Sequence, residues 1–284
     1  MLISESRFTP LSYDIKNQIK KLISTFVNNN ITRRGKLSNL TLDEAKKNVK
    51  KMIGRNKHKE LHIGDIHLGK EFNREIPVFI KEIGSGGSYI EETDNHYEHI
   101  VIAFDTIFEN LDHILSLLAH ELIHAIQEYK KASSAYYDVA SKMTNNEDIS
   151  YAEWFTYYTE PVEFEANASQ LSYMITNFYG RRDVDKSKVI YLLDYVLKFP
   201  KSKMDKFFNT FLNSKSEDAE IYISYLREMF LTKLHFLRVI ADPPDNTTAN
   251  IKKSDRYWKQ FKQKLFTLVQ NLKKRQLNRR EKNK

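Results

Sequence analysis

A chain of 284 residues with 41% hydrophobic and 29% charged content can bury at least one sizeable core, and no apolar run in it reaches the roughly 18 residues that a membrane span requires. It has no cysteine, which excludes disulfides and thiolate metal sites and leaves His, Asp and Glu as the available ligands. The net charge of +8 is unevenly placed: residues 1–60 hold 14 Lys/Arg against 5 Asp/Glu, residues 250–284 hold 13 against 2, and the stretch between carries −12.

The opening residues, Met1 to Arg7, show no basic stretch leading into an apolar run, so no secretory leader is expected and the chain reads as a soluble, cytoplasmic protein. Residues 11–29 place Leu11, Ile15, Ile19, Leu22, Ile23 and Phe26 near a helical period. A polar loop from Asn28 to Gly35 precedes a second, basic helix that starts near Thr41, where Thr41 and Glu44 have capping-box spacing. Residues 1–60 thus form a basic helical region.

From about residue 61 the pattern becomes strand-like. Leu61 to Leu68 nearly alternates, Ile76 to Ile83 is a second candidate, and Gly84 to Ser88 supplies a turn. Strict alternation would put His62 and His67 on opposite faces. His99 to Phe104 has a continuous apolar centre, which predicts burial on both faces.

Everything beyond residue 105 reads as helical. One helix runs from about Asp112 to Lys131, another opens near Pro161, and amphipathic segments fill 187–199, 203–213 and 218–240. The run Asp242-Pro243-Pro244-Asp245-Asn246 breaks the chain before a basic helix over about 252–278. Four of the last seven residues are Lys or Arg, so disorder is expected at the C-terminus.

The chemistry lies in the helix Leu117-Leu118-Ala119-His120-Glu121-Leu122-Ile123-His124-Ala125-Ile126. Histidines four apart share one helix face about a turn apart, where both rings can reach one ion. Glu121 stands beside them, placed to take a proton from a water on that ion, which is the HExxH arrangement of the zincins. His113 lies on the same face but about 10.5 Å along the axis, too far to bind the same ion.

Downstream, Glu163-Phe164-Glu165-Ala166-Asn167 resembles the gluzincin pattern Glu-x-x-(Ala/Ser)-(Asp/Asn). The resemblance covers about residues 76–180 and is nearest to compact gluzincin-type metallopeptidases, including those carried by phages and mobile elements. It implies an α+β fold: a zincin-like core over 61–180 with a small mixed sheet packed on the HExxH helix, flanked by helical regions 1–60 and 181–284. It also implies a Zn²⁺ held by His120, His124 and Glu163, with Glu121 as general base in peptide-bond hydrolysis. Small Ala166 would let two helices approach closely, and Asn167 would orient a ligating histidine. Glu153, Glu160 and Glu165 stand as rival third ligands. Tyr151, Tyr157 and Tyr158 are candidates for the oxyanion donor that related enzymes take from Tyr or His.

The expected partner is a protein or peptide substrate, with no membrane. The basic ends carry a second reading, a nucleic-acid-binding or structural assembly protein on a zincin scaffold, or a chain that engages an acidic protein surface.

Overall fold

The computed structural model describes residues 11–30, 41–69, 72–82, 86–91, 97–108, 111–127, 132–145, 147–180, 184–203 and 236–282. The fold is α+β and divides into two units, Met1–Tyr129 and Lys130–Lys284.

The first unit opens with α1 (Tyr13–Asn30) and α2 (Leu42–Arg55). Ile15, Ile19, Ile23 and Phe26 form the buried stripe of α1, as the periodicity predicts. Thr41 caps α2 through the expected box: its hydroxyl accepts from the Glu44 amide while the Glu44 carboxylate accepts from the Thr41 amide at 2.7 Å. Four strands follow, β1 (Glu60–His67), β2 (Glu75–Lys81), β3 (Gly87–Ile90) and β4 (His99–Ala103). They form one mixed sheet in the order β1-β2-β4-β3, with β2 and β4 parallel and both outer strands antiparallel to their neighbours.

All five residues of β4 are buried, so the apolar run is covered on both faces as expected. Ile76, Val78 and Ile80 of β2 share one face with Ile100 and Ile102 of β4 and are inaccessible to solvent. At about 1.5–3 kcal/mol for each such side chain, a one-residue slip would cost far more than any strand propensity could offset.

Two features of the sheet depart from the sequence expectation. A bulge between His62 and Gly64 shifts the register, so that His62 stands opposite Phe79 and His67 opposite Glu75. Phe79 and Glu75 are four apart on a regular strand, which puts His62 and His67 on the same face rather than opposite ones. Asp65 joins that face, and its Oδ1 lies 3.0 Å from His62 Nε2. Gly64 makes the bulge possible: its φ is +139°, and a Cβ there would come within 2.5 Å of Leu22 on α1. The second departure is β3 itself, expected only as the end of a turn; residues 84 and 85 of that turn lie outside the described residues.

After β4 a short 3-10 turn, Asp105–Phe108, leads into α3 (Leu111–Ile126), which packs along β3 and β4. Gly87 permits the close approach, since a Cβ there would meet Leu117 Cδ2 at 3.2 Å. Ile114, Leu115, Leu118, Ala119, Leu122 and Ile123 bury the body of α3, and this packing fixes the rotation of the HExxH residues.

The described part of the second unit is helical: α4 (Ser134–Thr144), α5 (Tyr151–Tyr158), α6 (Pro161–Gly180), α7 (Lys186–Lys198) and α8 (Thr248–Lys282), with a helical segment at 236–241. Pro161 occupies the first turn of α6, where its missing amide hydrogen costs nothing. Phe164, Ile175, Phe178, Leu193, Phe236 and Phe261 belong to one apolar core shared by α6, α7, α8 and the 236–241 segment. Of the amphipathic segments expected at 203–213 and 218–240, residues 204–213 and 218–235 lie outside the described residues.

The Pro243-Pro244 break separates two helices as predicted, and Asp245 organises the restart by accepting from the Thr247 amide at 3.2 Å and Asn250 Nδ2 at 2.8 Å. The expected disorder at the C-terminus is corrected for residues 279–282. Helix α8 runs through Lys282, because Arg and Lys are good helix formers and cations suit the negative end of the helix dipole. Among the described residues no helix is long and apolar enough to cross a membrane.

Candidate metal centre

The first unit supplies the histidine pair. His120, Glu121 and His124 are all buried on α3. The two rings meet edge to face, their centroids 4.7 Å apart, with His120 Nε2 and His124 Nε2 separated by 3.1 Å. Two nitrogens bonded to one tetrahedral zinc at 2.0–2.1 Å would stand about 3.3–3.4 Å apart, so the pair is close to that spacing.

The His124 tautomer is set by a neighbour that the sequence reading did not single out. Gln127 Oε1 lies 3.0 Å from His124 Nδ1. An amide oxygen only accepts, so Nδ1 carries the proton and Nε2 presents its lone pair toward His120. The signal was available, since Gln127 stands three residues after His124 and therefore on the same side of the helix.

The candidate acid belongs to the second unit. Glu163 sits in the first turn of α6 and is buried, an arrangement a carboxylate tolerates only when it is paired, hydrogen-bonded or bound to a cation. Phe164 sets the rotation of this turn by packing on Tyr257 at 4.8 Å and Phe236 at 6.0 Å, which turns Glu163 about 100° away from that contact. Asn167, one turn on, donates from Nδ2 to the Glu163 main-chain oxygen at 2.9 Å and also to Glu163 Oε1. The expected role for Asn167 was on a histidine; within this unit its amide holds Glu163 itself.

The rival acids are engaged elsewhere. Glu153 closes a capping box with Ser150 at the start of α5 and pairs with Lys142, and these contacts, the Lys142 bond first, hold its carboxyl down at about 2. Glu160 accepts from the Ser133 hydroxyl at 2.8 Å. Glu165 lies on another side of α6 from Glu163, near enough to Lys264 and Tyr257 on α8 for its charge to act on both.

The tyrosines mostly pack. Tyr151 donates its hydroxyl to Asp242 O at 2.8 Å and pins the end of the 236–241 segment. Tyr157 stacks on Tyr136 with centroids 4.9 Å apart, and Tyr158 stacks on Trp154 at 5.2 Å. Burial, followed by the nearby charge of Glu163, pushes the Tyr158 phenol above its ordinary pKa, so its hydroxyl stays a donor across the physiological range. His113 contributes its main-chain oxygen to the Ser116 hydroxyl at 2.8 Å, and His67 Nδ1 accepts from the Gly69 amide at 2.8 Å.

No protein family, no curated protein and no solved structure matches the chain. The functional reading therefore rests on these residues alone.

Proposed function

We propose that the chain is a zinc-dependent peptide hydrolase of gluzincin type, with His120, His124 and Glu163 as the metal ligands and Glu121 as the general base. The observation that carries this reading is the ligand set itself. His120 and His124 hold ring nitrogens 3.1 Å apart on α3, Glu163 is a carboxylate held by Asn167 in the first turn of α6, and all three residues are buried. Two neutral imidazoles and one carboxylate make a donor set suited to Zn²⁺, and they leave a position for water and substrate.

When bound, zinc supplies Lewis acidity, polarising a peptide carbonyl and making water a better nucleophile at neutral pH. The protein does the rest. Gln127 holds the proton on His124 Nδ1, so that Nε2 remains a ligand. Asn167 restrains the Glu163 carboxylate through Oε1. Glu121, next to His120 on α3, accepts the proton of the attacking water and delivers it to the leaving amine. A purely structural site of this composition has no use for a general base beside its ligands, which favours catalysis over a metal that only staples the fold.

Two measurements test the reading. Elemental analysis should find about one zinc per chain in the wild type and none in His120→Ala or Glu163→Ala. Hydrolysis of a denatured protein substrate should fall at least about a hundredfold in Glu121→Gln while its zinc content is kept. A wild type that takes up no zinc when it is supplied, or a fully active Glu121→Gln, would overturn the proposal.

A further inference from the structure

Helix α8 has 35 residues and is about 52 Å long at 1.5 Å per residue. Tyr257, Phe261, Leu265, Val269 and Leu272 bury one side of it in the core of the second unit. At about 100° per residue, Lys252, Arg256, Lys259, Gln263, Gln270 and Lys274 fall on the opposite side within a stripe about 60° wide. All six are exposed, and so is Phe266 at the stripe's edge.

The structure sorts the helix's cations into two sets. Lys262 donates to the Phe199 carbonyl, Lys264 lies over the Phe164 ring, and Lys273 pairs with Asp194 at 2.7 Å; these serve the fold. Lys252, Lys259, Lys274, Arg275 and Arg279 form no ion pair with any described carboxylate. Of the acids near the stripe, Asp255 at its edge is taken by Lys201 at 2.6 Å, and Glu281 falls within it only in the last turn of the helix. Past Leu272 the helix runs on for ten residues, with Arg275 and Arg279 exposed although their angular position continues the core side.

We infer that the stretch of this face from Lys252 to Lys274, which carries no acid, binds the phosphate backbone of nucleic acid. The cations recur along a straight rod, and the positions between them are carboxamides, which hydrogen-bond to phosphate oxygens or base edges without repelling them. An anionic membrane surface fits less well, because an interfacial helix needs a broad exposed apolar face, and near the stripe α8 exposes only the separate side chains of Phe266 and Leu277. The inference is independent of the hydrolase reading, since none of these side chains belongs to the proposed metal centre.

The test uses the full chain and a labelled 30-base-pair duplex of arbitrary sequence, with binding followed by fluorescence anisotropy between 50 and 200 mM NaCl. Contact of the four cations of the stripe with about four phosphates predicts a loss of affinity of roughly 150-fold across that range. The triple variant Lys252→Gln/Lys259→Gln/Lys274→Gln, reduced to about one contact, should bind more weakly and lose only about 3-fold. Its circular dichroism and melting temperature should match the wild type, and Lys→Arg at the same positions should retain binding. Equal binding to a single strand would also support a nucleic-acid backbone as the target. Absence of saturable binding at 50 mM salt, an unchanged salt dependence in the triple variant, or equal competition by polyglutamate or phosphatidylserine vesicles would overturn the proposal.

Discussion

A histidine offers the lone pair of Nε2 to a metal only while its proton is held at Nδ1, and in the pair on α3 the side chain that holds it is Gln127. Gln127→Leu keeps the size of the side chain and removes the acceptor. It should lower zinc affinity by about 10–100-fold in competition with a chelator, with little change in the melting temperature of the metal-free protein. Asn167 makes the corresponding contact on Glu163, and here a carboxylate would not substitute. Asn167→Asp would place two acids against one another in a buried turn, so it should weaken zinc binding more than Asn167→Ala does; the reverse order in the same competition assay would show that Asn167 does not act through Glu163. The ligand candidates His120, His124 and Glu163 were legible as types and spacings. The hold on each was not, because it depends on which rotamer a neighbour adopts once the helix is packed.

At the scale of single elements, local rules succeeded where the chain is regular. The Thr41–Glu44 box, the first-turn Pro161 and the buried stripe of α1 all follow from spacing alone. They failed at Gly64, where one extra residue reverses the facing of half a strand. Gly64→Ala should destabilise the first unit by about 1–3 kcal/mol in chemical denaturation, mainly through the positive φ, since the Leu22 methyl group it meets can move. Helix α5 carries a pH dependence with a defined sign. The Glu153 carboxyl is depressed from 4.5 to about 2 by Lys142 and Ser150, so its contribution to the helix is complete above about 4.5 and is lost as pH falls toward 2. Trp154 fluorescence during acid titration should therefore separate the wild type from Glu153→Gln above pH 4.5, and the two curves should converge near pH 2.

For the molecule as a whole, charge and core are distributed by different logics. The second unit gathers its apolar residues into one cluster, which ends along α8 at Leu272, inaccessible to solvent, while Leu277 is 58% exposed. Leu272→Ala should cost about 2–5 kcal/mol and Leu277→Ala no more than about 0.5 kcal/mol, measured by denaturant unfolding; similar losses would mean that the core extends further along the helix. The basic ends that looked alike in composition also separate. In the first unit Lys50 pairs with Glu82, and Lys46 lies over the Phe108 ring at 5.6 Å, so part of that charge serves packing. On α8 several cations have no such partner among the described residues.

The sequence by itself determined the α+β composition, the positions of most described helices and strands, the absence of thiolate chemistry and the residue types of the candidate centre. Each of these depends on a local period, a cap or a composition that survives without knowledge of the fold. Tertiary structure decided the strand order, the facing of β1, the burial of Glu163, and which of the lysines on α8 are presented to solvent. Those features come from packing between segments far apart in sequence, where volume, register and the availability of a partner choose among states that local preference leaves nearly equal.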